Sequence, residues 1–144
     1  MIKVATKEDI ADWLRLREKL WPPTATDDFQ QEIMHILKDT DQQAFLFYNE
    51  SMCIGFIEMS IRNFADGCVT DHVAYVEGIY VEPEFRQQQV ARKLLRAGEQ
   101  WAKEKGCTEM ASDVEMGNDP SIAFHLSAGF NEVTRAVLFA KKLE

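Results

Sequence analysis

Apolar positions along this chain recur with periods of two and of three to four residues, and the changes of period divide it into elements. Residues 2–5 read as a short strand. Thr6 follows as a helix N-cap, with Asp9 three residues on as a variant of the capping box. Ile10, Trp13, Leu14, Arg17, Leu20 and Trp21 share one helical face, and Pro22-Pro23 ends that helix. A second helix is predicted over residues 27–38, capped by Thr26, with Phe29, Ile33, Ile36 and Leu37 as its stripe. Residues 44–48 and 52–61 read as strands around Asn49-Glu50-Ser51, a hairpin signal. A loop over residues 62–71 turns at Asp66-Gly67 and is expected to overhang the site, because it joins strands flanking Glu77.

Residues 72–81 read as the central strand. Glu82-Pro83-Glu84 stops it, because proline cannot continue a central ladder. The next helix, residues 86–105, places Val90, Ala91, Leu94, Leu95, Gly98, Trp101 and Ala102 on one face and ends at Gly106. Residues 107–113 form a fifth strand, and a loop over 115–119 follows. Asp119 caps a short helix over 120–128 with Pro120 at its first position, and Gly129 terminates it. Residues 130–143 are expected to hold one or two closing strands. Strands before, around and after helices give an α+β fold: a mixed sheet with antiparallel pairs and one βαβ unit, in a single domain over residues 1–144.

Composition narrows the function. A content of 46% hydrophobic and 28% charged residues is that of a globular chain. The net charge of −8, from 16 basic and 24 acidic residues, argues against non-specific nucleic-acid binding and suits a cationic partner. Cys53, Cys68 and Cys107 are scattered without a C-x-x-C pair, so neither a disulfide framework nor a zinc site is indicated. The N-terminus lacks an apolar signal core and no run reaches membrane-spanning length, so a cytoplasmic, reduced protein is expected, with no metal and no membrane partner.

Several polar residues sit where packing alone would not put them. Glu77 interrupts the apolar central strand, so it must be ion-paired (Arg62 is a candidate), protonated, or facing a water-filled site. Gly78 beside it permits a bulge or the close approach of a ligand. Glu58 breaks another apolar strand and faces solvent or a site. Trp21 either packs in the core or walls a cleft, and Asp27, Asp28 and Glu32 either complement a helix dipole or line an acidic cleft. Asp113 ends a strand, where it caps the following loop or meets a ligand. Arg86, Arg92, Lys93 and Arg96 cluster near a helix N-terminus, whose unpaired N–H groups and positive dipole end suit a phosphate.

Two motifs carry a resemblance. Arg86-Gln87-Gln88-Gln89-Val90-Ala91 resembles the R-x-x-G-[IV]-[AG] loop of the GCN5-related N-acetyltransferases, with Gln89 at the family's central glycine. If that position requires φ > 0, glutamine there costs about 1 kcal/mol. Asn118-x-x-Ser121-x-x-x-His125-x-x-x-Gly129-Phe130 resembles the family's N-x-x-A-x-x-x-Y-x-x-x-G-F element, with His125 at the tyrosine position. The resemblance implies a mostly antiparallel central sheet with splayed parallel strands and flanking helices. It implies acetyl-coenzyme A as cosubstrate, held by Ile79 and Val81 of the strand, by Arg86, Gln87, Gln88, Gln89, Val90, Ala91 and Arg92 of the loop, and by Asn118. It also implies His125 at the place of the acid that protonates the departing thiolate, a role histidine can take near neutral pH.

A finer similarity runs through LRLREKLWP, SIRNFADGC, VEGIYVEPEFRQQQVA and CTEMASD, which are similar to chromosomal-type aminoglycoside 6′-N-acetyltransferases. It implies that Trp21, Glu77 and Asp113 line an aminoglycoside cleft and that acetyl passes directly to the 6′-amine, with Glu77 taking its proton. The chain departs from those enzymes at Phe64-Ala65-Asp66. A covalent route through cysteine is disfavoured, since no cysteine has an evident histidine partner. A homodimer is expected. The alternatives are a polyamine, peptide or other small-amine acceptor, or a coenzyme-binding sensor without turnover.

Overall fold

The computed structural model describes residues 1–24 and 28–144. The elements follow the order β1 (Ile2–Val4), α1 (Ile10–Leu20), α2 (Phe29–Lys38), β2 (Gln42–Asn49), β3 (Met52–Arg62), β4 (Val73–Val81), α3 (Val90–Glu104), β5 (Met110–Ser112) and α4 (Asp119–Ser127). The strands form one sheet in sequence order, antiparallel except for the parallel pair β4–β5. The α+β mixed sheet expected from the residue pattern is therefore present.

The sheet separates two apolar layers. On one face Ile57, Met59, Ala74, Val76 and Val81 pack under Val90, Leu94, Leu95 and Trp101 of α3. On the other face Ala44, Leu46, Cys53 and Phe56 pack under Trp13 and Leu16 of α1 and Ile33 and Ile36 of α2. α3 lies close because Gly98 has no side chain: a Cβ there would meet Met59 Sδ at 2.9 Å.

Local chemistry sets the element ends. The capping box forms on the 3-10 turn Lys7–Asp9 that leads into α1, with the Thr6 N–H donating to Asp9 Oδ2 at 2.9 Å. Asp28 caps α2 by accepting from the Gln31 N–H at 3.0 Å; the expected cap Thr26 and helix start Asp27 lie outside the described residues. α3 begins at Val90 rather than at residue 86, because Gln87 (φ 63) and Gln89 (φ 69) are left-handed and a right-handed helix cannot include them. At its far end Gly106 N–H bonds Lys103 O and Cys107 N–H bonds Ala102 O, both at 3.0 Å. This Schellman arrangement draws Cys107 into the helix terminus, which shortens β5 to three residues. α4 starts at Asp119 with Asn118 as its cap, one residue earlier than expected.

One expectation fails outright. Residues 130–144 form no strand, and every residue from 131 onward is exposed. The edge strands β1 and β5 are three residues each, and the segment pairs with neither. Among the described residues no helix is long and apolar enough to cross a membrane.

Candidate active site

A bulge in β4 organises the site. Met59 pairs with Val76 and Glu58 with Gly78, so Glu77 is the extra residue with no partner on β3. The insertion shifts the side-chain phase. Ala74 and Val76 point toward α3, but so do Ile79 and Val81. Glu77 and Gly78 are left together on the face toward α1, where Glu77 meets Ser60 and Arg62 and Gly78 meets Trp21 and Leu20.

Glu77 is paired. Arg62 donates Nη2–H to Oε1 at 2.7 Å and Nε–H to Oε2 at 2.9 Å, and Ser60 Oγ donates to Oε2 at 2.5 Å. A carboxylate offers about four acceptor positions; three are used here, and the remaining one is on Oε1. Glu77 is nevertheless 30% exposed and lines a cavity of about 510 Å³ shared with Trp21, Glu32, His35 and Glu58. Two of the three sequence alternatives thus hold at once: Glu77 is ion-paired with Arg62 and faces an open site.

Asp113 joins the same cluster through two side chains. The Arg62 guanidinium lies 3.5 Å above the Tyr75 ring, and Tyr75 Oη donates to Asp113 Oδ2 at 2.5 Å. The Glu77 hydrogen bonds hold Arg62 more firmly charged than usual, against a smaller opposing effect of burial. Burial, then the bond to Asp113, pushes the Tyr75 phenol well above its ordinary range, so it stays a donor. Sequence reasoning did not name Tyr75 or Ser60 as site residues. The available signal was period two: Tyr75 precedes Glu77 by two positions on β4, and Ser60 and Arg62 follow Glu58 on β3.

Glu58 is a fixed structural anion. It is 2% exposed, takes Arg17 Nε at 2.6 Å and Nη2 at 2.9 Å, and accepts from Trp13 Nε1 at 2.8 Å. Of the two alternatives for it, solvent fails, because α1 covers it and supplies its counter-ion, while its carboxylate borders the cavity that Glu77 lines. Burial works against the Arg17 charge, but Glu58 and then Glu32 more than restore it.

Trp21 is half-buried. Its indole packs edge-on to Phe56 with ring centroids 6.2 Å apart, while the ring also borders the cavity. Its position thus combines packing against the core with a place on the cavity wall.

On the other side of the bulge the sheet opens. β5 pairs with β4 only at Ala74, Tyr75 and Val76, so Glu77 through Val81 have no strand on that edge, Ile79 and Val81 among them. The loop into α3 continues from this open edge. Arg86 Nε donates to Val81 O at 2.8 Å, which folds the loop back on the strand end. Gln88 bonds Glu84 O at 3.4 Å. The left-handed Gln87 and Gln89 bring the chain to the N-terminus of α3, where Val90, Ala91 and Arg92 begin a helix whose first N–H groups lack partners within it. Arg92 also reaches α4, donating to Ser127 Oγ at 3.0 Å. The fork and the helix terminus fit an extended thioester arm ending in a pyrophosphate. Asn118 uses its side-chain oxygen on Ser121 N–H at 3.3 Å, as the cap of α4. His125 lies at the base of the fork, 2.9 Å from Ser112 Oγ.

The thiols show no sign of activation. Burial pushes Cys53 up to about 11 and raises Cys68 and Cys107 as well, so none favours the thiolate. Among the described residues no group of three or more His, Cys, Asp or Glu side chains could hold a metal ion.

The family model for the acetyltransferase (GNAT) family matches residues 8–130. The chain is 40% identical, over 99% of both sequences, to an aminoglycoside N(6′)-acetyltransferase type 1 of Acinetobacter haemolyticus. It is 39% identical to one of Klebsiella aerogenes, over 99% of this chain and 97% of the relative. The crystal structure of an aminoglycoside antibiotic 6′-N-acetyltransferase from Acinetobacter haemolyticus superposes with a TM-score of 0.91 at 39% identity, covering 100% of this chain and 99% of that one. The aminoglycoside N-acetyltransferase AAC(6′)-Iy, in complex with the bisubstrate analogue CoA-S-monomethyl-acetylneamine, superposes at 0.92 with 35% identity, covering 99% and 98%. With the family model matched over residues 8–130 and relatives about 40% identical along 99% of the chain, this protein belongs to the GNAT family of acetyltransferases.

Proposed function

We propose that this chain transfers the acetyl group of acetyl-CoA to the 6′-amine of aminoglycoside antibiotics, and so inactivates them. The observation that carries this reading is the cavity lined by Trp21, Glu32, Glu58 and Glu77, whose Glu77 is the first β4 residue past the last pair with β5. A polycationic amino-sugar matches its carboxylates and the −8 net charge. Trp21 offers the sugar an apolar wall, while Glu77 and Asp113 take ammonium groups. Arg62 and Ser60 hold Glu77 in one orientation, so its remaining Oε1 position accepts the proton of the attacking amine, directly or through water. The N–H groups of β4 near Ile79 polarise the thioester carbonyl. Arg86, Gln87, Gln88, Gln89, Val90, Ala91 and Arg92 hold the pyrophosphate, with Val81 and Asn118 along the arm. His125 supplies the proton that the leaving thiolate takes.

The reaction is placed in the cytoplasm, where acetyl-CoA is available. A homodimer is supported by the terminal segment, whose Val137, Leu138 and Phe139 are 74%, 91% and 92% exposed. Sedimentation of a chain ending at residue 130 as a monomer would agree with this, and an unchanged dimer would remove the segment's part in it.

The deciding experiment follows thiol release from acetyl-CoA with kanamycin as acceptor. Turnover is expected with kanamycin and not with an otherwise similar amino-sugar lacking the 6′-amine. Equal turnover of both, or turnover only with polyamines or peptides, would overturn the acceptor assignment.

A further inference from the structure

Both ring nitrogens of His125 are engaged, and this limits where its proton can go. Nδ1 lies 2.8 Å from the carbonyl oxygen of Ser121, one helical turn back. A carbonyl oxygen only accepts, so Nδ1 carries the hydrogen and the tautomer is set. Nε2 faces Ser112 Oγ at 2.9 Å. The rings of Phe124 and Phe130 flank the imidazole, with centroids 5.6 and 5.1 Å away. The exit from His125 toward the sheet therefore runs through a hydroxyl.

That hydroxyl stands at the fork. Ser112 is the last residue of β5 and the last to pair with β4, opposite Val76; beyond it the two strands part. Residues 110 and 112 share a face, and Met110 packs on the layer under α3, so Ser112 points toward the helix that carries His125. When His125 is neutral, Nε2 accepts from the serine. When it is doubly protonated, Nε2–H donates to Oγ, and the serine's own hydrogen is free to turn into the fork.

We propose that Ser112 is the group that hands a proton to the departing coenzyme sulfur, with His125 refilling it. This rests on the acetyl-transfer reading above and adds the residue through which the proton passes. The amine lone pair forms the carbon–nitrogen bond, and the carbon–sulfur bond breaks with its electron pair going to sulfur. The Ser112 Oγ–H proton moves to that sulfur while the Nε2–H proton of the imidazolium moves to Oγ. Ser112 ends as a hydroxyl and His125 as the neutral Nδ1–H tautomer. The proton shed by the amine leaves through Glu77, and His125 recovers one from solvent before the next turnover.

The test is single-turnover transfer from acetyl-CoA to kanamycin by rapid quench, which product release does not mask. Ser112→Ala should slow the transfer step about 10²-fold, in the range of general acid catalysis, with acetyl-CoA binding unchanged. Ser112→Thr, which keeps a hydroxyl, should recover most of the rate. His125→Gln should slow the step comparably, and the double variant should be no slower than the slower single one, because both residues lie on one path. The solvent deuterium isotope effect of the wild type should shrink in Ser112→Ala. A wild-type rate in Ser112→Ala, multiplicative losses in the double variant, or an isotope effect unmoved while only thermal stability falls would each overturn the relay. An acetyl group found on Ser112 by mass spectrometry after incubation with acetyl-CoA alone would overturn it in favour of a covalent route. A wild type that releases no thiol with any amine would remove the acetyl-transfer reading itself; turnover indifferent to Ser112 removes the relay alone.

Discussion

The indole of Trp21 fills the space where a side chain on Gly78 would begin. Helix α1 and the bulge of β4 are thereby fitted to each other at the floor of the acceptor cavity. The glycine next to Glu77 serves this contact: what approaches the backbone is the chain's own tryptophan rather than a ligand.

Gly78→Ala is accordingly expected to displace both Trp21 and Leu20, whose Cδ2 would lie 3.0 Å from the new methyl. Denaturant unfolding should show a loss of about 1–3 kcal/mol, the range for overpacking. The Michaelis constant for kanamycin should rise while acetyl-CoA binding persists. Wild-type kinetics and stability would mean that the indole shifts without consequence.

Glu77→Gln keeps the size of the side chain and removes its charge. Turnover should fall about 10²-fold with coenzyme binding intact, because the acceptor position on Oε1 loses its basicity. Steady-state kinetics separate this from an anchoring role, in which only the Michaelis constant rises.

Gln89→Gly relieves a left-handed backbone at φ 69. Thermal unfolding should report a gain of about 1 kcal/mol, less whatever flexibility glycine adds to the unfolded chain. Calorimetry should show acetyl-CoA binding kept or tightened; its abolition would remove the loop from the coenzyme site.

Arg17→Leu would leave Glu58 buried without its counter-ion. A loss of about 3–5 kcal/mol is expected, as for other buried pairs broken on one side. Arg17→Leu with Glu58→Leu should recover much of it, and a double variant as unstable as the single one would contradict this.

Acid should weaken the fold through Glu82. Burial opposes the charge of Glu82, but Lys19, bonded at 2.8 and 2.9 Å, together with Tyr80 and Arg15, brings its net value below the ordinary carboxylate range. A carboxylate depressed in the folded state stabilises fully above its unfolded value of about 4.3, and the contribution is lost as pH falls through the folded value. Urea midpoints should therefore fall less steeply with acid in Glu82→Gln than in the wild type over that window. Parallel pH profiles would show that the pair contributes nothing to folding.

The order of helices and strands was legible in the sequence because it depends on local spacing. Ile10 through Trp21 show a helical stripe, Gly106 a helix stop, and residues 82–84 a strand stop, and each signal acts within a few residues of itself. Gln89 was recognisable as a departure, since a motif fixes its position, but its conformation was not. Glu77 stood out because one carboxylate in an apolar strand is anomalous wherever its partners are.

Partners were a different matter. That Glu58 is sealed by Arg17 while Glu77 stays open depends on α1 crossing the sheet over one residue and not the other, a contact across 41 positions of sequence. The bulge that turns Glu77 and Gly78 to the same face is a mismatch between two strands, and neither strand records it alone. Tyr75, Arg62 and Asp113 become one network only when β3, β4 and β5 lie side by side. Residues 130–143 carry strand-forming side chains, yet within one chain they join no edge of the sheet. Strand pairing needs a free partner edge at the right place, and sequence periodicity specifies the side chains but not the partner.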